Sequence, residues 1–168
     1  VVQFLVENTL GRIWFEMMKG ETQLIELEYL VRRQYEVFLS KDEDIPEEPE
    51  DILFGQTPDH PFPIPYRQKK DPRDVKILDP ACGSGHFLLY SFDLLLRIYV
   101  EAWRDTKAAK SQVTGNSLHD DYPDLEVLQI AIPHLILRHN LHGIEIDPRA
   151  AQITGLALWL RVQRSYQE

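Results

Sequence analysis

Residues 75–89, Val-Lys-Ile-Leu-Asp-Pro-Ala-Cys-Gly-Ser-Gly-His-Phe-Leu-Leu, constrain this chain more than any other stretch. Val75 to Leu78 form a short apolar run of strand character, ended by Asp79 and Pro80. Ala81 to Gly85 are small residues, and a helical pattern starts at His86. Strand, glycine-rich turn and helix in this order are how an α/β sheet presents backbone N–H groups and a helix N-terminus to a ligand. The glycines supply backbone conformations that other residues reach only with strain. A dinucleotide fingerprint is disfavoured, because counting from Gly83 its third glycine falls at Leu88, too bulky for the close helix–strand packing required there. No phosphate-loop string G-x-x-x-x-G-K-[ST] occurs in the chain.

A second strand is expected over Leu141–Asp147. Asp147-Pro148 then opens a helix, Asp as N-cap and Pro at the first helical position, with Ala150, Ile153, Ala157 and Leu160 along one face. Strand, crossover, strand, helix is the start of a parallel α/β sheet with a right-handed crossover, and further strands are needed to cover both faces. The interval from Gly85 to Glu145 exceeds the roughly twenty residues of a compact nucleotide-binding unit. It is filled by a helix over His86–Arg104, with Phe87, Leu88, Ser91, Leu94, Leu95, Tyr99 and Trp103 toward a sheet. An insertion loop expected to be mobile follows over 105–123. Asp124–Asn140 is helical and is expected to split into two short helices at Pro133. Such insertions are tolerated, since each doubling of loop length costs only about 0.6 kcal/mol.

Ahead of this unit, residues 1–19 carry apolar residues at helical spacing, weakened at Gly11 and with a break expected at Asn8-Thr9. Glu21–Leu39 has the pattern of a second helix, its polar side covered by the solvated Arg32, Arg33 and Gln34. Residues 41–50 are acidic and aperiodic, an exposed loop. Residues 56–73 hold Pro58, Pro61, Pro63, Pro65 and Pro72 and are expected to form an extended connector, anchored by Phe62 and Tyr66. Lys69, Lys70 and Arg73 in it form a small cluster expected to solubilise the loop. The division expected is a helical region and proline-rich connector over 1–71, then the α/β unit over 72–168.

Composition narrows the partners. Net charge is −9, a poor footprint for nucleic acid, so any DNA-binding surface is expected elsewhere in a longer protein. The start at Val1 and the helical pattern still running at Glu168 give the same expectation of a fragment. The lone Cys82 excludes an internal disulfide and a multi-cysteine zinc site, and suits a reducing cytoplasm. In a glycine turn without a neighbouring base, Cys82 is a small packed residue rather than a nucleophile. The histidines lack metal-ligand spacing, so no metal is expected. No run approaches the length of a membrane span.

The string Asp79-Pro80-Ala81-Cys82-Gly83-Ser84-Gly85-His86-Phe87 resembles motif I of the S-adenosylmethionine-dependent methyltransferases that act on the amino group of DNA adenine. Gly143-Ile144-Glu145-Ile146-Asp147-Pro148 resembles their motif II, and Val1–Arg12 resembles the helix after motif X. By this resemblance, that order implies the gamma class, in which target recognition follows the catalytic domain. The wider context, Pro72-Arg73-Asp74 and Leu141–Arg161, is most similar to the large phage-exclusion (BREX) enzymes. The resemblance implies the start of a Rossmann-like sheet that binds S-adenosylmethionine. It implies that Asp79 lies near the methionyl ammonium, and that Pro80, Ala81, Cys82, Gly83, Ser84, Gly85 and Phe87 shape that pocket. Glu145 then holds the ribose and Ile146 packs on the adenine, with Asp147 a helix cap. A carboxylate at the end of the second strand suits ribose hydroxyls on general grounds also. The implied partners are double-stranded DNA, through regions missing from this chain, and other phage-defence subunits.

Adenine N6 methylation also needs an Asn/Asp-Pro-Pro-Tyr/Phe segment to receive a base flipped from the duplex. No such tetrapeptide occurs here, so no catalytic residue is named and the fragment alone is expected to be inactive. Two other functions remain open at this point. One is a methyltransferase of the same fold acting on RNA or protein. The other is a non-catalytic binding or specificity subunit that keeps the cofactor fold.

Overall fold

The computed structural model describes residues 1–45 and 61–167. The acidic stretch from Pro46 and the start of the proline-rich connector lie outside the described residues. Helix α1 (Val2–Val6), a π-helical turn (Glu7–Gly11) and helix α2 (Arg12–Met17) follow without interruption. At Asn8-Thr9 the helix therefore widens instead of breaking. The wide turn carries Glu7 inward, where its carboxylate accepts bonds from Tyr90 Oη at 2.6 Å and from Tyr29 N–H at 2.7 Å. Burial and this carboxylate push the Tyr90 phenol up to about 12, so it stays a donor at neutral pH. Val6, Leu10, Trp14 and Met17 bury one face. The rod ends where Lys19 and Gly20 take positive φ and Gly20 N–H reaches back to Phe15 O.

The helix expected over Glu21–Leu39 does not form. A 3₁₀ turn (Gln23–Glu26) capped by Thr22 is followed by extended chain and strand β1 (Glu36–Phe38). The physical reason is tertiary. Asn8 donates to Tyr29 O and accepts from Val31 N–H, and Arg12 donates to Val31 O, so side chains of the first helix claim the backbone groups a helix needs. Part of the expected connector is also a strand: β2 (Phe62–Ile64) pairs in parallel with β1, Val37 opposite Pro63. A two-stranded sheet has only edges, which is where proline is tolerated. Phe62 carries Arg33 over its ring at 3.6 Å.

Strand β3 (Ile77–Asp79) pairs in parallel with β4 (Leu141–Gly143), Asp79 opposite Gly143. The second strand is thus shorter than expected. Between them run α3 (His86–Arg104), the short α4 (Leu118–Asp121) and α5 (Leu125–His139); α6 (Pro148–Ser165) follows β4. Helix α3 is the core element. Leu88, Phe92, Leu95, Ile98 and Tyr99 are buried and pack with Leu128, Ile132 and Ile136 of α5 and with the α1–α2 residues in one cluster. Full burial of each large aliphatic side chain contributes about 1.5–3 kcal/mol. That offsets the ~3 kcal/mol cost of Pro133, which stands inside a continuous α5 rather than splitting it.

The insertion 105–123 is tied down, not loose. Arg73, expected to solubilise a loop, is buried; it grips Asp71 through two parallel bonds of 2.7 and 2.9 Å and donates to Asp121 and to Asn116 O. Asp74 accepts from Ser111 Oγ and Gln112 N–H, and Ser117 with Asp120 forms a capping box on α4. Lys69 pairs with Asp105 at 2.6 Å. On α6 the expected face is turned outward: Ile153 and Leu160 are more than half exposed, while Thr154 and Val162 are buried. Among the described residues no helix is long and apolar enough to cross a membrane.

Candidate cofactor site

The residues singled out from the sequence collect at the carboxyl ends of β3 and β4. Asp79 ends β3, and its carbonyl accepts from Ile144 N–H at 2.9 Å, extending the pairing one step past β4. One carboxylate oxygen, Oδ1, accepts from Ala81 N–H at 3.1 Å and turns the chain. The other, Oδ2, is buried without a partner. Cys82 N–H donates to Ile144 O at 3.0 Å, and its side chain packs beside Gly143, where an added Cβ would sit 3.1 Å from Sγ. Cys82 is therefore the small packed residue its sequence context predicts.

Gly83 (φ 52°) and Gly85 (φ 82°) occupy the left-handed region that the turn demands. A Cβ on Gly83 would meet nothing within 4 Å, so the backbone there is open to a ligand. A Cβ on Gly85 would lie 2.8 Å from Thr154 Cγ2 of α6. Gly85 is the N-cap of α3, whose first N–H groups face the same end of the sheet. Ser84 Oγ lies 2.8 Å from His86 Nδ1.

Glu145, two residues past β4, closes the loop. Its Oε2 accepts from Gly83 N–H at 2.7 Å, and Oε1 accepts from Ile146 and Asp147 N–H. The N–H groups of Asp147, Gly83 and Ile146 hold the Glu145 carboxyl below the usual carboxylate range, against burial, which works the other way. Beside it Ile146 is 96% exposed, an apolar side chain with no cover. Asp147 caps α6 by accepting from Arg149 N–H at 2.9 Å.

Two groups thus flank the glycine loop. Asp79, Pro80 and Phe87 line an open cleft of about 220 Å³ together with Val6 and Thr9 of the first helical rod. Glu145 and Ile146 stand outside this cleft, linked to the first group through the loop. Thr154 was not legible as a site residue, nor were Val6 and Thr9. Thr154 donates from Oγ1 to Gly83 O at 2.7 Å and is 6% exposed. The one sequence signal was a hydroxyl between Ile153 and Gly155 in an otherwise apolar helix stretch.

A glycine loop and an acidic residue are thus joined at the ends of adjacent parallel strands in a mixed α/β chain. The chain belongs to the MmeI DNA-methyltransferase domain family, whose model matches residues 67–168. Over 158 residues it is 30% identical to the adenine-specific methyltransferase BrxX of Escherichia coli O9:H4 (strain HS), covering 94% of this chain and 10% of that protein. Over 167 residues it is 28% identical to the adenine-specific methyltransferase PglX of Lacticaseibacillus casei (strain Zhang), covering 98% and 11% respectively. The type I restriction enzyme EcoEI methylase subunit of Escherichia coli is 38% identical over 72 residues, 42% of this chain and 12% of that subunit. The chain spans about a tenth of the length of these curated relatives.

Proposed function

We propose that this chain supplies the first half of an S-adenosylmethionine site in a DNA adenine-N6 methyltransferase. The sheet begun by β3 and β4 is on this reading Rossmann-like. The exposed apolar stripe Ile153, Leu156 and Leu160 on α6 supports further cover in the intact protein. The observation that carries the cofactor proposal is the buried, unpartnered Oδ2 of Asp79 beside an open glycine loop. A buried carboxylate oxygen without a donor is costly and fits a cationic group such as the methionyl ammonium. Pro80, Ala81, Cys82, Ser84, Gly85 and Phe87 shape the pocket around it. Glu145, held ionised by backbone N–H groups, accepts from ribose hydroxyls, and Ile146 offers apolar surface to the adenine.

When bound, S-adenosylmethionine supplies the methyl group at its sulfonium. The chain's own contribution is to hold and orient that group; positioning of this kind accounts for a large share of a transfer rate. The residues that receive the flipped adenine, and the surface that binds double-stranded DNA, belong to the intact protein outside this chain, which lacks an Asn/Asp-Pro-Pro-Tyr/Phe segment and whose charge of −9 is a poor footprint for DNA. Relatives named as adenine-specific methyltransferases and as a type I restriction methylase subunit support adenine as the target and a role in phage defence or restriction–modification with other subunits. The protein acts in the cytoplasm on this reading. Incubation of the intact protein with isotope-labelled S-adenosylmethionine and duplex DNA, followed by nucleoside mass spectrometry, is expected to show labelled N6-methyladenine. Label only in RNA, only in protein, or nowhere would overturn the proposal.

A further inference from the structure

We infer that Thr154 of α6 is a positioning residue that sets the peptide plane of the glycine loop for its ligand. The inference rests on the cofactor reading above and adds a residue outside both motifs. The backbone N–H groups of the loop are almost all engaged within the protein. Ala81 N–H is held by Asp79, Cys82 N–H by Ile144 O, Gly83 N–H by Glu145 and Gly85 N–H by Cys82 O. Among the described residues, Ser84 N–H makes no such bond.

The orientation of that N–H follows from Thr154. A trans peptide holds its C=O and N–H in one plane, pointing to opposite sides of the C–N bond. The Thr154 hydroxyl fixes Gly83 O toward α6 at 2.7 Å, so the N–H of the same peptide, Ser84 N–H, is turned away from α6. Ser84 is exposed, and there is open space at Gly83. The threonine methyl does a second job. It fills the place of the side chain that Gly85 lacks, with Cγ2 2.8 Å from where a Cβ would be. Both branches of one buried side chain therefore hold the loop, from a helix 71 residues away from Gly83.

The two branches can be removed separately, Thr154→Val keeping the methyl and Thr154→Ser keeping the hydroxyl. In the intact protein, Thr154→Val is expected to weaken binding of S-adenosylhomocysteine by about five- to tenfold, the worth of one hydrogen bond. Thr154→Ser is expected to stay within about threefold of wild type. In cofactor-free protein, Thr154→Val is expected to speed amide exchange at Gly83 to Gly85 and leave the α3 amides unchanged. Equal affinity and unchanged loop exchange in Thr154→Val would overturn the inference, as would Thr154→Ser falling as far as Thr154→Val. Failure of the wild-type protein to bind S-adenosylhomocysteine is a different result. It would sink the cofactor reading, and a ligand-positioning role with it, while exchange still decides whether Thr154 holds the loop.

Discussion

Asn140 joins the two strands before the site begins. It is fully buried; its amide donates to Pro72 O and Val75 O at 2.7 Å each, and its carbonyl oxygen accepts from Tyr99 Oη at 2.9 Å. Its backbone oxygen accepts from Ile77 N–H, the first bond alongside β3. Asn140→Ala removes three side-chain hydrogen bonds at once and leaves the buried Tyr99 hydroxyl and the half-buried Val75 O without these partners, while Pro72 O keeps its bond from Val75 N–H. It is expected to destabilise the fold by about 2–4 kcal/mol, read as a lower urea midpoint in the intact protein; an unchanged midpoint would contradict the clamp. Asp79, Gly83, Gly85 and Glu145 were legible at this scale because their chemistry follows from position at a strand end or a tight turn. Asn140 and Thr154 were not, because their roles depend on partners more than 60 residues away.

Among the elements, the insertion 105–123 is the clearest case of structure imposed by distant charge. Its polar composition reads as a loop, yet Asp121 is locked to the buried Arg73. Burial works to raise the Asp121 carboxyl, but hydrogen bonds from Arg73, Asn116 and Thr114 outweigh it and hold the group below the ordinary aspartate value. Asp105, beside Lys69, is lowered in the same way. A carboxyl depressed in the folded state stabilises it above its unfolded pKa of about 3.9 and loses that contribution as pH falls through the folded value. Amide exchange in 105–123 is therefore expected to rise relative to α3 as pH drops from about 5 to about 3, after correction for intrinsic rates. A constant ratio would show that these pairs do not hold the segment. Arg73→Ala leaves Asp71 buried and unpaired and is expected to cost about 3–5 kcal/mol by denaturant melt.

At the scale of the molecule, a parallel α/β unit was legible in outline: both strands of the site, α3 and the start of α6 follow from local pattern. The helical rod Val2–Met17 was legible too, but the chain from Glu21 to β2 was not. Apolar spacing over Glu21–Leu39 matches a helix, but Glu7, Asn8 and Arg12 take its backbone bonds, and β1 and β2 are each three residues long, with a proline in β2. Periodicity carries no record of such contacts. The outward face of α6 misled for a related reason, since the sequence pattern shows which side chains are apolar and not which neighbour covers them. The central claim is that the glycine loop and Glu145 form one S-adenosylmethionine site. Its most direct test is calorimetric binding of S-adenosylhomocysteine to the intact protein and to its Glu145→Ala variant. The account predicts binding by wild type and a loss of about ten- to hundredfold in the variant, the range for hydrogen bonds to a charged group. Equal affinities would contradict it.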